Sequence, residues 1–155
     1  MEYYAHIRQL ENGQAQRQTV LAHLEGTAAM AEKFAAAFGA GTQGQIAGLT
    51  HDMGKYTDGF QNRLIHQGKR VDHSTAGAVE CAKKGQLPAA FAVAGHHSGL
   101  PNLGADGDGP ESGTLLGRIR RGAPEPIAPE YAQEVTLPQA EFPPFCNKHV
   151  LTDFF

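Results

Sequence analysis

The chain's 155 residues are enough for one compact domain. With 41% hydrophobic and 19% charged residues it is not a disordered chain, and a formal net charge of -3 excludes a broadly basic, nucleic-acid-coating surface. No run approaches the roughly 20 apolar residues of a membrane span, and no basic start leads into an apolar run, so a cytoplasmic protein without membrane contact is expected.

Residues 1 to 17 open on Tyr3-Tyr4, turn polar at Asn12-Gly13, and are expected to form an extended segment or hairpin. From about Thr19 to Phe38 the alanine-rich stretch predicts a helix, with Val20, Leu24, Met30, Phe34 and Phe38 as its apolar positions and Gly39 as its stop. A second helix is predicted over TQGQIAGLTHDMG, capped by Thr42, with His51 and Asp52 in its last turn and Gly54 near its end. A third, DGFQNRLIHQG, has Asp58 as cap, Phe60, Leu64 and Ile65 as its stripe, and Gly68 as its close.

The unit DHSTAGAVECAKKG begins with capping residues and ends with two lysines before Gly85, the polarity a helix dipole favours, which puts His73 at a helix start. Pro88 suits the first turn of LPAAFAVAGHHSG, which puts His96 and His97 at a helix end. Beyond Pro101 the glycine-rich stretch to Gly113 is expected to be a mobile loop outside the core, with Asp106 and Asp108 as solvated turn residues. A short basic helix is expected near residues 114 to 121, and six prolines between 123 and 144 argue against helix or central strand there. The fold class expected is all-α, a helical bundle with a long irregular C-terminal segment.

Chemistry is concentrated in the histidines, eight in number at positions 6, 23, 51, 66, 73, 96, 97 and 149. Adjacent helical residues point about 100° apart, so His51 and Asp52 suit two neighbouring ions bridged by the carboxylate better than a single ion. His96 and His97, at a tapering helix end, could both turn toward one ion. His23 lies among alanines and the other pairs among apolar residues, where unpaired imidazoles are costly and shared metal ions would satisfy them. His6, His66 and His149 have no partner spacing and are expected in surface or core roles. Cys81 and Cys146, with no CxxC, are expected to be free thiols.

The series His23, His51-Asp52-x-Gly-Lys55, Asp72-His73-Ser74 and His96-His97-Ser98-Gly99-Leu100-Pro101 resembles the HD nuclease domain of the CRISPR-associated helicase-nuclease of type I systems. The likeness spans roughly residues 3 to 101 and is greatest to the subtype C members. It implies a mostly helical HD domain that cuts single-stranded DNA displaced by an RNA-guided surveillance complex, with a helicase in cis or in trans. It further implies one ion on His23, His51 and Asp52, and a second on Asp52, His73, His96 and His97. Lys55 would neutralise a phosphate oxygen, and Ser74 and Ser98 would contact substrate or neighbouring groups, against the plainer roles of helix cap and turn residue. The chemistry implied is two-metal phosphodiester hydrolysis at Asp52 and Lys55, and nitrogen-rich ligation favours Fe, Mn, Co, Ni or Zn over Mg.

One departure stands out. The family pattern has a further aspartate on a later helix, whereas this chain closes on Leu151-Thr-Asp-Phe-Phe155 with Asp153 only a weak substitute. The expectation is an HD domain over 1 to 155 truncated before its last ligand helix, with an incomplete first metal site. Two alternatives compete: a phosphohydrolase of nucleotides or cyclic nucleotides, which DHSTAGA and HHSGLP argue against, and a non-enzymatic module whose histidines hold a structural metal or none.

Overall fold

A computed structural model describes residues 1 to 140. Cys146, His149 and Asp153 lie outside the described residues. The chain opens on an antiparallel hairpin, β1 (Tyr4–Gln9) and β2 (Ala15–Thr19). The mostly helical expectation holds for the rest, with this hairpin as the added strand element.

Helix α1 (Val20–Ala36) starts where Thr19 Oγ1 accepts the Ala22 amide at 3.2 Å. Its buried face is not the one expected. Val20 and Leu24 are buried, but so are Ala28 and Ala35, while Met30, Phe34 and Phe38 face outward at 57%, 71% and 60% exposure. The reason lies in the partner, α2 (Gly41–Thr50), whose glycines bring the two backbones together. A Cβ on Gly48 would stand 2.3 Å from Ala28 Cα, so the alanine face is the only one that fits.

Helix α2 also departs from expectation at both ends. It begins without a side-chain cap, with Thr42 inside it, and it stops at Thr50. Thr50 Oγ1 bonds back to Ile46 O at 2.8 Å, His51 is the C-cap, and Asp52 leads into a separate 3₁₀ turn, Met53–Tyr56. Helix α3 (Asp58–His66) is capped by Thr57 rather than Asp58, and ends on Gln67 in the left-handed region (φ 56°) rather than at Gly68. Of its expected stripe, Phe60 is buried but Ile65 is 55% exposed.

Helices α4 (Ser74–Lys83) and α5 (Leu87–Gly95) form as expected, α4 ending before Gly85 and α5 beginning with Pro88 in its first turn. At the start of α4, Asp72 Oδ1 accepts the amides of Ser74 and Thr75 at 3.1 and 3.0 Å. Cys81 is a free, fully buried thiol that burial pushes up to about 11.

The glycine-rich loop is not loose. Leu115 and Leu116 donate their amides to Asn102 O and Leu103 O, Asp108 takes bonds from Ala105 N and Thr114 Oγ1, and Arg120 holds the carbonyls of Ala105, Asp106 and Asp108. Asp108 is thus a loop organiser, while Asp106 is exposed as expected. The loop delivers Leu115, fully buried, as the first residue of α6 (Leu115–Arg121). The proline-rich stretch does contain a short helix, α7 (Glu130–Glu134), because Pro129 sits at its N-cap, where a missing N–H costs nothing.

Two apolar clusters support this frame. One joins Tyr3, Val20, Leu24 and Leu49 with Tyr56 and Tyr131, and the other joins Ile46, Cys81, Phe91, Val93 and Leu115. No described helix is long and apolar enough to cross a membrane.

Candidate metal centre

The ends of four helices converge on one carboxylate. Asp52 is 3% exposed, and around it stand His23 from the first turn of α1, His51 from the end of α2, His73 from the N-cap of α4, and His96 with His97 from the end of α5. Oδ2 of Asp52 lies 2.9 Å from His23 Nε2, 3.1 Å from His51 Nε2 and 2.8 Å from Lys55 Nζ. Oδ1 faces His73 Nε2 and His96 Nε2, each at 3.4 Å, without an aligned hydrogen bond from any group among the described residues. His97 Nε2 stands 2.7 Å from His73 Nε2.

The proton positions follow from what the other ring nitrogens touch. A carbonyl oxygen only accepts, so Nδ1 of His51, His73 and His96 carries the hydrogen and donates to Gly48 O (2.8 Å), Val71 O (3.2 Å) and Val93 O (2.7 Å) respectively. Three Nε2 lone pairs are therefore aimed at the oxygens of an anion. Acceptors facing acceptors, with a buried Oδ1 left unbonded, are satisfied by cations placed between them. Among the described residues there are two such groups: Asp52, His73, His96 and His97, and His23, His51 and Asp52, each with ligand atoms all within 4.8 Å of one another. The donor set, imidazole nitrogens with one shared carboxylate, fits divalent transition ions.

Titration behaviour agrees with a site built around an anion. Burial pushes Asp52 up, but the imidazoles packed around it, His23, His51 and His96, outweigh burial and hold the carboxyl far below the usual range. Desolvation lowers His73 and His97. His96 is raised, since Asp52 and the Val93 carbonyl outweigh its burial.

Lys55, 4% exposed, donates to Asp52 and to Ala5 O, its ammonium also lying 3.4 Å from His6 Nε2. Its ammonium is committed to the carboxylate, while its side chain forms part of an adjoining cleft. That cleft, of about 600 Å³, is lined by His73, His97, Ser74 and Lys55 from the cluster and its neighbours and also by Arg63 and Arg70. Ser74 also accepts from Arg118 and donates to Asp72. Ser98 lies in the exposed turn after α5, its amide on Gly95 O, and does not line the cleft.

Three residues without a local signal in the sequence bear on the site. His6 lines the cleft and stacks edge-on against His23, with ring centroids 4.9 Å apart. The hairpin register shifts between Tyr4 and His6, an irregularity of the kind found beside functional sites. Phe60 packs edge-on against the His73 ring at 5.1 Å. Arg118 fastens two histidine-bearing helix ends together, donating to Ser74 Oγ, Thr75 Oγ1 and Ala94 O at 2.7 to 2.8 Å, with Asp72 Oδ1 3.7 Å away. Arg118→Ala should leave those acceptors unpaired and lower stability by about 2 kcal/mol in urea denaturation, while loosening the spacing of His73 and His96.

No curated protein matches the chain significantly. The family profile described as "HD domain" matches residues 20 to 137, a span that begins at the first residue of α1 and includes every residue of both ligand groups. The proteins of that family are metal-dependent hydrolases, which agrees with buried imidazoles grouped about one aspartate. The chain belongs to the HD domain family.

Proposed function

We propose that the chain is a metal-dependent nuclease that cleaves single-stranded DNA in type I CRISPR interference, in the cytoplasm, with a helicase in cis or in trans and an RNA-guided surveillance complex presenting the strand. The observation that carries this reading is the shared carboxylate: Asp52 belongs to both ligand groups, beside an open cleft walled by Arg63 and Arg70. The motif series running from His23 to Pro101 supports the nuclease branch of the family.

In this reading His23, His51 and Asp52 hold one ion, and Asp52, His73, His96 and His97 hold the other. The pair, of Fe, Mn, Co, Ni or Zn rather than Mg, supplies water activation and stabilisation of charge on the phosphoryl group. The residues do the rest. The Nδ1 bonds to backbone carbonyls fix each ring's tautomer and orientation. Lys55 pairs with Asp52 and places a positive charge beside the scissile phosphate. Arg63 and Arg70 meet flanking phosphates, and Ser74, at the cleft wall, and Ser98, in the exposed turn after α5 outside the cleft, contact the strand. One carboxylate against two divalent ions and Lys55 leaves the centre strongly positive, which suits a phosphodiester anion.

Circular single-stranded DNA incubated with the protein and added Mn, Co or Ni should be cut. Cutting that survives Asp52→Ala would sink the assignment. The cleft volume of about 600 Å³ also lies in the range of small-molecule sites, which favours a nucleotide phosphohydrolase as the second reading. Turnover of nucleotides or cyclic nucleotides without polynucleotide cleavage would select it.

A further inference from the structure

Four arginines outside the two ligand groups line three neighbouring clefts that share lining residues. Leu64 and Gln67 line the metal-side cleft and also a second cleft of about 410 Å³, whose other wall is the hairpin with Tyr4 and Arg17. Arg17 lines a third cleft as well, about 460 Å³, together with Arg8, and His6 connects that one back to the first. The path therefore begins at His73 and His97, passes α3, and bends around the two-stranded ribbon.

Its charge is unlike that of the whole chain. Arg63, Arg70, Arg17 and Arg8 all line these clefts, and Asp72, already engaged by Thr75 and Arg118, is the one carboxylate among the described lining residues. Among the described residues no carboxylate lies within ion-pair distance of any of these four arginines. In a chain of net charge -3, four guanidinium groups without an ion-pair partner among the described residues, on three adjoining clefts, are a local concentration. Arg17 is held over the Tyr4 ring, 5.3 Å from its centroid, so part of its rotamer freedom is already lost before any ligand arrives. The polar ribbon face beside Arg8, carrying Gln16 and Gln18, offers further side-chain donors.

We propose that these adjoining clefts form a polynucleotide track: a single strand with its reacting phosphate at the metal centre runs past Arg63 and Arg70 and around the hairpin over Arg17 and Arg8, held by its backbone phosphates. Guanidinium groups bind phosphate oxygens bidentately, and the charge term is independent of base sequence. The bend selects the single strand, because a duplex with a persistence length of about 50 nm cannot follow a two-stranded ribbon around its edge. The proposal rests on the nuclease reading for what happens at the metal end, but strand binding itself needs no metal.

The test measures binding of fluorescently labelled dT20 in EDTA over a range of KCl concentrations, for the unaltered protein and for the double variants R8A/R17A and R63A/R70A. Each double variant should bind at least about fivefold more weakly, and the slope of log affinity against log salt should fall by about 1.4, the value for two phosphates no longer neutralised on a single strand. R8K/R17K, which keeps the charges, should retain the slope, and unchanged melting curves by circular dichroism exclude misfolding. Wild-type affinity and slope in both alanine variants would overturn the track, as would failure of the unaltered protein to bind dT20. Equal binding of a 20-base-pair duplex, with equal weakening in the variants, would overturn the single-strand assignment. Binding in EDTA without cleavage when metal is restored would instead count against the nuclease reading alone.

Discussion

Asp52→Asn should lower metal-dependent phosphodiester hydrolysis by more than about 100-fold, since even residues that only support a ligand are typically worth 10- to 100-fold. The substituted amide keeps the shape but removes the anion that both ligand groups share. It should also destabilise the fold. Lys55 Nζ stands 2.8 Å from Asp52 Oδ2 with its side chain 5% exposed, and a buried ammonium without its counter-ion costs about 3 kcal/mol. Activity is read by cleavage of single-stranded DNA and stability by urea denaturation. Pairing Asp52→Asn with Lys55→Met should return much of the lost stability without returning activity, because the second change removes the orphaned charge. Recovery of activity in that double variant would show that Asp52 is not the shared ligand.

The second large effect concerns Gly54, the glycine of the HDMGK motif. A Cβ there would lie 2.4 Å from His73 O and 2.5 Å from His73 Cα, both backbone atoms that cannot rotate aside. The Gly54 amide also donates to His73 O at 3.2 Å. Glycine is thus required by close approach, because it lets the 3₁₀ turn carrying Asp52 and Lys55 touch the start of α4. Gly54→Ala should cost about 3 kcal/mol and push His73 away from Asp52. In a metal titration the group that contains His73 should weaken while the group of His23, His51 and Asp52 keeps its affinity. Equal weakening of both would mean that the damage is global and not this contact.

The residues of the centre were legible because their chemistry is scarce and their spacing is local to helix ends. A capped start before His73, a proline-led helix running into His96 and His97, and a doublet suited to two ions bridged by its carboxylate are all visible within short windows of sequence. What escaped was decided across the chain. His6 meets Lys55 from 49 positions away and Arg118 meets Thr75 from 43, so neither has a local signal. The buried face of α1 was misassigned for a related reason. Hydrophobic weight favours Phe34 and Phe38, but the glycines of α2 admit only the alanines, and that preference belongs to the partner helix.

Helix ends show the same division. Gly54 looks like a stop, yet α2 had already ended at Thr50, whose hydroxyl competes for the Ile46 carbonyl, leaving glycine free for its approach to His73. The proline-rich segment was expected to resist helix, and Pro129 instead begins one. The glycine-rich loop is ordered by Asp108 and Arg120, whose hydrogen bonds to the loop no composition rule anticipates.

The most direct measurement is the metal isotherm of the chelator-stripped protein. Titration with Mn2+ or Co2+, followed by calorimetry and by elemental analysis of the purified complex, should show saturable binding that raises the melting temperature and is lost in Asp52→Asn. The group of Asp52, His73, His96 and His97 should fill first, because it has four ligands against three. Fewer than one ion per chain at saturation, or an isotherm unchanged by Asp52→Asn, would contradict a metal centre built on that carboxylate.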